Sequence, residues 1–128
     1  MSVQYASDQF PTTGRQNAES WGFSDSLTHQ DRFRVSHLVI HPGLSLDMES
    51  HYHRTEHWIV VSGSGRVTVG TDIRDLYENQ HLDIPVGAPH RIENHGKVDL
   101  HLIEVQTGTC LDDDVIDHSD GDLSQMVE

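Results

Sequence analysis

Apolar and polar residues alternate along much of the chain, and this alternation predicts β-strands. The longest alternating run covers residues 33–40 and ends before Pro42 and Gly43. Successive side chains of a strand point to opposite faces, so such a run is typical of a strand with one face toward a core. One face carries Arg34, Ser36, Leu38 and Ile40, and the other carries Phe33, Val35, His37 and Val39.

Seven shorter strands are predicted downstream, separated by segments rich in Gly, Pro, Asn and Asp that favour turns. They cover residues 44–48, 57–61, 66–69, 73–77, 81–84, 90–93 and 100–106. No stretch shows a convincing helical period, so the pattern predicts an all-β barrel or double-sheet sandwich. In such a barrel a few polar side chains from several strands converge in the interior, and the mouth is the expected ligand site.

The length of 128 residues fits one domain. Residues 1–19 are polar without sustained periodicity, which predicts an extended or disordered N-terminal arm before a domain at residues 20–111. Residues 112–128 are rich in aspartate and predict a solvated acidic tail. A calcium loop in that tail is disfavoured because the spaced ligand pattern of such loops is missing.

Charge and composition narrow the partners and the location. The formal net charge of −13 repels phosphate backbones and anionic lipid headgroups, so neither nucleic acid nor a membrane is an expected partner. No apolar run approaches the roughly 20 residues of a membrane span, and no basic cluster opens the chain, so a soluble, cytoplasmic protein is expected. The single cysteine excludes an intramolecular disulfide framework and a cysteine-based zinc site.

Residues 51–58 are the densest group of metal-capable side chains. On a strand, His51 and His53 would share a face with Cα atoms about 6 to 7 Å apart, close enough for both imidazoles to bind one ion. A turn after His53 would bring Glu56 beside them as a carboxylate ligand. Imidazole with carboxylate suits Zn, Fe, Mn, Co or Ni, so the group predicts one divalent transition metal of unspecified identity.

Two segments resemble the paired motifs of the cupin superfamily. The first runs Gly43, His51, His53, Glu56, Gly63, and the second runs Pro85, Gly87, His90, Asn94. In cupins, two histidines and a glutamate of the first motif bind a metal together with the histidine of the second. The resemblance therefore implies an all-β cupin fold, a double-stranded β-helix or jelly-roll barrel in a single domain. It also implies the metal ligands His51, His53, Glu56 and His90.

A closer resemblance is carried by residues 51–63, 77–94, 96–98 and 103–108, which look like the signature of type II phosphomannose isomerases. The similarity extends over about residues 20–114. In that family the cupin is usually the C-terminal domain of a bifunctional mannose-1-phosphate guanylyltransferase. The resemblance implies aldose–ketose isomerisation of mannose 6-phosphate through an enediol. It covers only the isomerase-type domain, so synthesis of GDP-mannose is not expected of these residues.

An isomerase of this kind needs a group that moves a proton and cations that hold a phosphate. Glu104, on the last predicted strand, and Glu49 are the candidates for the catalytic base. Arg54, Arg91 and Lys97 are the candidate substrate-binding cations. The expected partner is a small sugar or sugar phosphate.

Several basic residues of the family are missing from this chain. Ser36 and His37 stand where the family has a Lys-Arg pair, His41 replaces a lysine, and Glu49 replaces a glutamine. The loss of positive charge keeps two alternatives open. One is another metal-dependent cupin enzyme, such as an iron-dependent oxygenase, and the other is a non-catalytic sugar-binding or regulatory cupin. Cupins often dimerise, so a homodimer is expected, with the first strand and the arm contributing.

Overall fold

The computed structural model describes residues 16–111 and 117–118, and these residues form strands, turns and loops without a helix. The described part of the chain accordingly offers no helix long and apolar enough to cross a membrane. The strands are β1 (Gln16–Glu19), β2 (Gly22–His29), β3 (Phe33–Ile40), β4 (Glu49–Ser50), β5 (Arg54–Ser62), β6 (Gly65–Val69), β7 (Asp72–Leu76), β8 (His81–Ile84), β9 (His90–Glu93), β10 (Leu100–Gly108) and β11 (Asp117–His118).

Two antiparallel sheets make up the fold. The larger sheet has the strand order β1-β2-β3-β10-β5-β8, and the smaller has the order β11-β4-β9-β6-β7. Their inward faces pack against each other, because Leu38, Trp58 and Leu102 of the larger sheet share one buried cluster with Val67 and Ile92 of the smaller. The apolar area that this cluster removes from water is the main driving force for the sandwich.

The inward face of the larger sheet changes from apolar to polar along its strands. Across the β3–β10 ladder the pairs run Ile40 with Leu100, Leu38 with Leu102, Ser36 with Glu104, and Arg34 with Gln106. On β5, Val60 and Trp58 continue the apolar half, while Glu56 and Arg54 continue the polar half. The barrel interior is therefore a packed core at one end and a polar cavity at the other.

The strand at residues 33–40 is confirmed, and most of the shorter predicted strands appear with ends shifted by a few residues. The predicted strand at residues 44–48 is wrong. That segment contributes one isolated bridge, from Ser45 to Glu93, before the two-residue β4. Its backbone forms isolated hydrogen bonds instead of a continuous ladder with β9. One of these bonds runs from Leu46 N to Ile92 O over 3.0 Å.

Two N-terminal strands were not predicted. Residues 16–19, assigned to the arm, form β1 and pair with β2, while the boundary of the arm stays a prediction. Both segments are mostly polar. They are ordered by backbone hydrogen bonds to a neighbouring strand, which leave no hydrophobic pattern in the sequence. The rest of the predicted arm, residues 1–15, and most of the predicted acidic tail lie outside the described residues.

Candidate metal centre

Three buried side chains from separate segments meet at the polar end of the barrel. Glu56 points inward from β5, His90 opens β9, and His51 precedes β5. Ligand atoms of the three residues all lie within 4.8 Å of one another. Glu56 lies between the histidines, with Oε2 3.3 Å from His51 Nε2 and Oε1 3.3 Å from His90 Nε2. Two imidazoles and a carboxylate at this spacing form a donor set that suits a divalent transition metal.

The backbone fixes the orientation of His90. Its Nδ1 lies 2.8 Å from the carbonyl oxygen of Ala88. Because a carbonyl only accepts, Nδ1 carries the hydrogen and Nε2 is the atom presented to Glu56. Metal-binding histidines are held by this kind of second hydrogen bond, which here directs Nε2 toward the carboxylate of Glu56. The residues present therefore fit a metal ion.

The turn before β9 fixes the position of His90. Gly87 has φ +84°, a left-handed conformation that favours glycine, and its N–H donates to the carbonyl of His51 over 2.8 Å. This bond joins the turn to the segment that carries the other histidine. The turn thereby directs His90 toward the interior of the barrel.

The charges at the centre favour an anionic carboxylate. Burial by itself raises the pKa of Glu56, but the hydrogen bond with His90 and the charges of His51 and His90 outweigh it and hold the pKa well below its usual range. For His90, burial lowers the pKa, whereas the hydrogen bond and charge of Glu56 raise it above the ordinary value. Glu56 thus remains a carboxylate that attracts a cation.

Two further side chains hold Glu56 in place. Arg54 donates from Nε to Glu56 Oε2 over 3.2 Å, and its Nη2 lies 3.3 Å from His51 Nε2. Gln106 donates from Nε2 to the same carboxylate oxygen over 2.8 Å. Gln106 in turn accepts from Arg34 Nε over 2.8 Å. The hydrogen-bond chain from Arg34 to Glu56 links β3, β10 and β5 and fixes the rotamer of the carboxylate.

A cavity of about 270 Å³ opens beside this centre. This volume lies near the lower end of the roughly 300 to 1,000 Å³ typical of small-molecule sites. Its lining includes Arg34, Glu49, Arg54, Glu56, Glu104 and Gln106. The cavity is therefore rich in groups that donate and accept hydrogen bonds, and it suits a small polar ligand.

Glu104 lies on β10 directly across from Trp58 of β5. The indole Nε1–H donates to Glu104 Oε2 over 2.9 Å, so Trp58, which is buried in the core, also makes a polar contact. Burial raises the pKa of Glu104 well above its usual range, the charge of Glu56 raises it further, and the bond from Trp58 opposes the shift. The carboxyl group of Glu104 therefore binds a proton more readily than that of an ordinary glutamate.

His53 does not join the metal-capable group. The prediction that His51 and His53 share a strand face is wrong, because β5 begins at Arg54 and residues 51–53 form an irregular segment with a bend. His53 is exposed, and its carbonyl accepts from the backbone N of Thr109 over 3.1 Å. Outside a pleated strand the two-residue alternation does not hold, and Arg54 is the residue that points inward here.

Only one of the three predicted phosphate-binding cations lines the cavity. Arg54 does, whereas Arg91 follows the inward His90 on β9 and pairs instead with Glu93, Nη2 to Oε2 2.7 Å. Lys97 lies in the β9–β10 loop near Gly63, in a separate surface depression. Arg91 and Lys97 thus lie outside this cavity, and their role in binding substrate stays a prediction.

Arg34 is a cavity cation that the predicted site lacks. The sequence carried a signal for it. The alternation of residues 33–40 places Arg34 on the same face as the apolar Leu38 and Ile40, and that face is the one that turns inward.

Comparison with known sequences finds a family model, described as mannose-6-phosphate isomerase C-terminal, that matches residues 7–120. The mannose-1-phosphate guanylyltransferase of Escherichia coli (strain K12) is 46% identical over 101 residues, which cover 78% of this chain and 21% of that relative. The xanthan biosynthesis protein XanB of Xanthomonas campestris pv. campestris (strain B100) is 41% identical over 126 residues, which cover 92% of this chain and 27% of XanB. The chain thus spans about a quarter of the length of these relatives.

Solved structures confirm the all-β cupin fold. The Schizosaccharomyces pombe Cnp3 cupin domain superposes with a TM-score of 0.68 at 18% identity, covering 72% of this chain and 68% of that one. The capsular polysaccharide assembling protein CapF of Staphylococcus aureus gives a TM-score of 0.69 at 26% identity, covering 80% of this chain and 33% of CapF.

Proposed function

Because the chain belongs to the family described as mannose-6-phosphate isomerase C-terminal, we propose that it is a metal-dependent isomerase domain for a sugar phosphate. The proposed reaction interconverts mannose 6-phosphate and fructose 6-phosphate. The observation that carries the proposal is the buried group of His51, Glu56 and His90 at the wall of a polar cavity. The names of the relatives refer to mannose 1-phosphate, which supports a mannose phosphate as the ligand.

The reaction is redox-neutral within the sugar. One proton leaves C2 and is returned at C1, a second moves from the C2 hydroxyl to the C1 oxygen, and no external oxidant or reductant is required. A divalent metal held by His51, Glu56 and His90 would supply the positive charge that stabilises the enediolate.

Glu104 is our first choice for the group that moves the carbon-bound proton. It lines the cavity next to the proposed ligand Glu56, and Trp58 holds one of its oxygens at 2.9 Å. A positioned carboxylate that takes a proton at C2 keeps it long enough to return it at C1. Glu49 lines the same cavity and is the second candidate.

Arg34 and Arg54 are the cations that we assign to the phosphate. Both line the cavity, one from β3 and one from β5. Guanidinium groups bind phosphate through charge-assisted, often bidentate hydrogen bonds. Arg34 and Arg54 together take the phosphate-binding role that the sequence analysis assigned to Arg54, Arg91 and Lys97.

A coupled assay of fructose 6-phosphate formation tests this function. We expect turnover by the metal-replete wild type, loss of turnover in Glu56→Gln, and normal turnover in Arg91→Gln, whose side chain pairs with Glu93 instead of lining the cavity. Equal activity in the wild type and Glu56→Gln would refute the role of the metal centre.

One observation favours a different metal-dependent cupin enzyme. Besides Glu56 and Glu104, the cavity is lined by Glu19, Asp47 and Glu49, so carboxyl groups outnumber the two arginines. Such a lining disfavours an anion and suits an uncharged substrate, as in an iron-dependent oxygenase. Oxygen consumption by the iron-loaded protein, with no isomerisation, would identify that class. Binding of a sugar without any turnover would identify a non-catalytic cupin.

A further inference from the structure

A fourth side chain faces the group formed by His51, Glu56 and His90. Strand β4 contains only Glu49 and Ser50, and its ladder partner on β9 places Glu49 directly opposite His90. Directly opposed residues of antiparallel strands project to the same side of the sheet, with Cβ atoms about 4.5 to 5.5 Å apart. Since His90 points into the barrel, Glu49 does so as well, and it lines the cavity.

The carboxylate of Glu49 also approaches the second histidine. Glu49 Oε1 lies 3.6 Å from His51 Nε2, the same nitrogen that lies 3.3 Å from Glu56 Oε2. His51 Nε2 is thus bracketed by two carboxylates, while His53 is exposed. Arg54 Nη2 lies 3.3 Å from the same nitrogen, but two carboxylates against one guanidinium still leave a net negative charge, which attracts a divalent cation.

We propose that Glu49 is the fourth protein ligand of the metal, in the place that the sequence pattern assigned to His53. The inference rests on the proposed metal-dependent function and deepens it. The ligand set becomes His51, His90, Glu49 and Glu56, with two imidazoles and two carboxylates. A ligand is not available as the base, so the proton transfer falls to Glu104.

The second carboxylate makes a prediction about metal choice. Carboxylate oxygens suit harder ions such as Mn²⁺, whereas imidazole suits Zn²⁺ well. Replacing Glu49 by glutamine keeps the shape of the side chain and removes its negative charge. Glu49→Gln should therefore weaken Mn²⁺ binding more than Zn²⁺ binding.

The test is calorimetric titration of the metal-stripped 128-residue chain with MnCl₂ and, separately, ZnCl₂. We expect Glu49→Gln to weaken Mn²⁺ binding about tenfold or more, since even outer-shell partners of metal ligands contribute this much. His53→Gln should bind both ions as the wild type does. Unchanged circular dichroism and melting temperature show that each variant is folded.

Pulsed electron paramagnetic resonance of the Mn²⁺-loaded wild type gives an independent result. Coupling to two imidazole nitrogens supports the assignment of Glu49, whereas coupling to three, or weaker binding in His53→Gln alone, overturns it. The two proposals fail differently. If the wild type and Glu49→Gln bind Mn²⁺ with equal affinity, only the assignment of Glu49 as a ligand is overturned. If the folded wild type binds no metal, the metal-dependent function is overturned too.

Discussion

Glu56 is the residue on which the site depends, because it contacts both histidines, Arg54 and Gln106. The motif spacing and the family resemblance predicted Glu56 together with His51 and His90. These three residues could be recognised because imidazole and carboxylate side chains are themselves metal ligands. The sequence does not show that residues 51–53 lack strand geometry. His53 was therefore predicted as a metal ligand together with His51. Arg34 was missed for another reason. Its role depends on the cavity that β3 faces, and the strand alone does not define that cavity.

Glu104 gives the sharpest prediction at the scale of a residue. Glu104→Gln keeps a hydrogen-bond acceptor for the indole of Trp58 but cannot take up a proton. We expect kcat to fall about 100-fold or more with little change in KM, because general-base groups typically contribute this much. Steady-state kinetics of fructose 6-phosphate formation measures both. Full activity in Glu104→Gln would transfer the role of base to another group.

Strands β3 and β10 are joined on their outward face by a pair of histidines. His37 Nε2 lies 3.0 Å from His101 Nδ1, and the rings stack with centroids 5.2 Å apart. Burial lowers the pKa of His37, the charge of His101 lowers it further, and Asp25 on β2 opposes the shift. Burial also lowers the pKa of His101, against the charge of Asp99.

This pair predicts a loss of stability in mild acid. Because both folded-state pKa values lie below the ordinary value of 6.5, the unfolded chain takes up protons first, and stability present above that pH is lost as the pH falls through it. The free energy of unfolding, measured in urea at pH 7.5 and 5.5, should decrease less in His37→Gln/His101→Gln than in the wild type. His81→Gln, which alters an exposed histidine, is the control. An equal decrease in the double variant would contradict this origin.

A second prediction at the scale of elements concerns the turn between β5 and β6. Gly63 has φ +87°, and a Cβ there would lie 2.7 Å from the backbone oxygen of Asp99, just before β10. Gly43 has a similar φ of +83° but nothing within 4 Å of its Cβ position. Gly43→Ala should cost about 1 to 2 kcal/mol from left-handed strain alone. Gly63→Ala should cost more, because it also pushes two strands apart. Urea denaturation measures the loss in free energy of unfolding for each variant. Equal losses would mean that the backbone at Asp99 moves aside without a measurable cost.

At the scale of the whole molecule, the alternation of apolar and polar residues was sufficient for the fold class. It failed for β1 and β2, which are mostly polar and gain their order from pairing with β3 and with each other. Short strand pairings, such as the single residue pair between β4 and β9, form only when distant parts of the chain meet. They leave no local pattern in the sequence. The cavity, which lies between strands distant in sequence, is a property of the assembled barrel.

The outward face of the larger sheet bears on the expected homodimer, which stays a prediction. Phe33, Ile59 and Val61 leave 40%, 39% and 50% of their surface exposed on that face. A second copy of the same sheet would cover them around a two-fold axis. Light scattering should give twice the chain mass of 14.4 kDa for the wild type and one chain mass for Ile59→Lys. Ile73→Lys, on β7 of the other sheet, should remain dimeric. A monomeric wild type would refute the dimer.

The measurement that tests the central proposal most directly follows mannose 6-phosphate by ³¹P nuclear magnetic resonance in the presence of the folded protein. We expect fructose 6-phosphate to appear with the metal-replete protein, to stop appearing when a chelator removes the metal, and to reappear when divalent metal is restored. Failure of the metal-loaded, folded protein to form any fructose 6-phosphate would contradict the isomerase function.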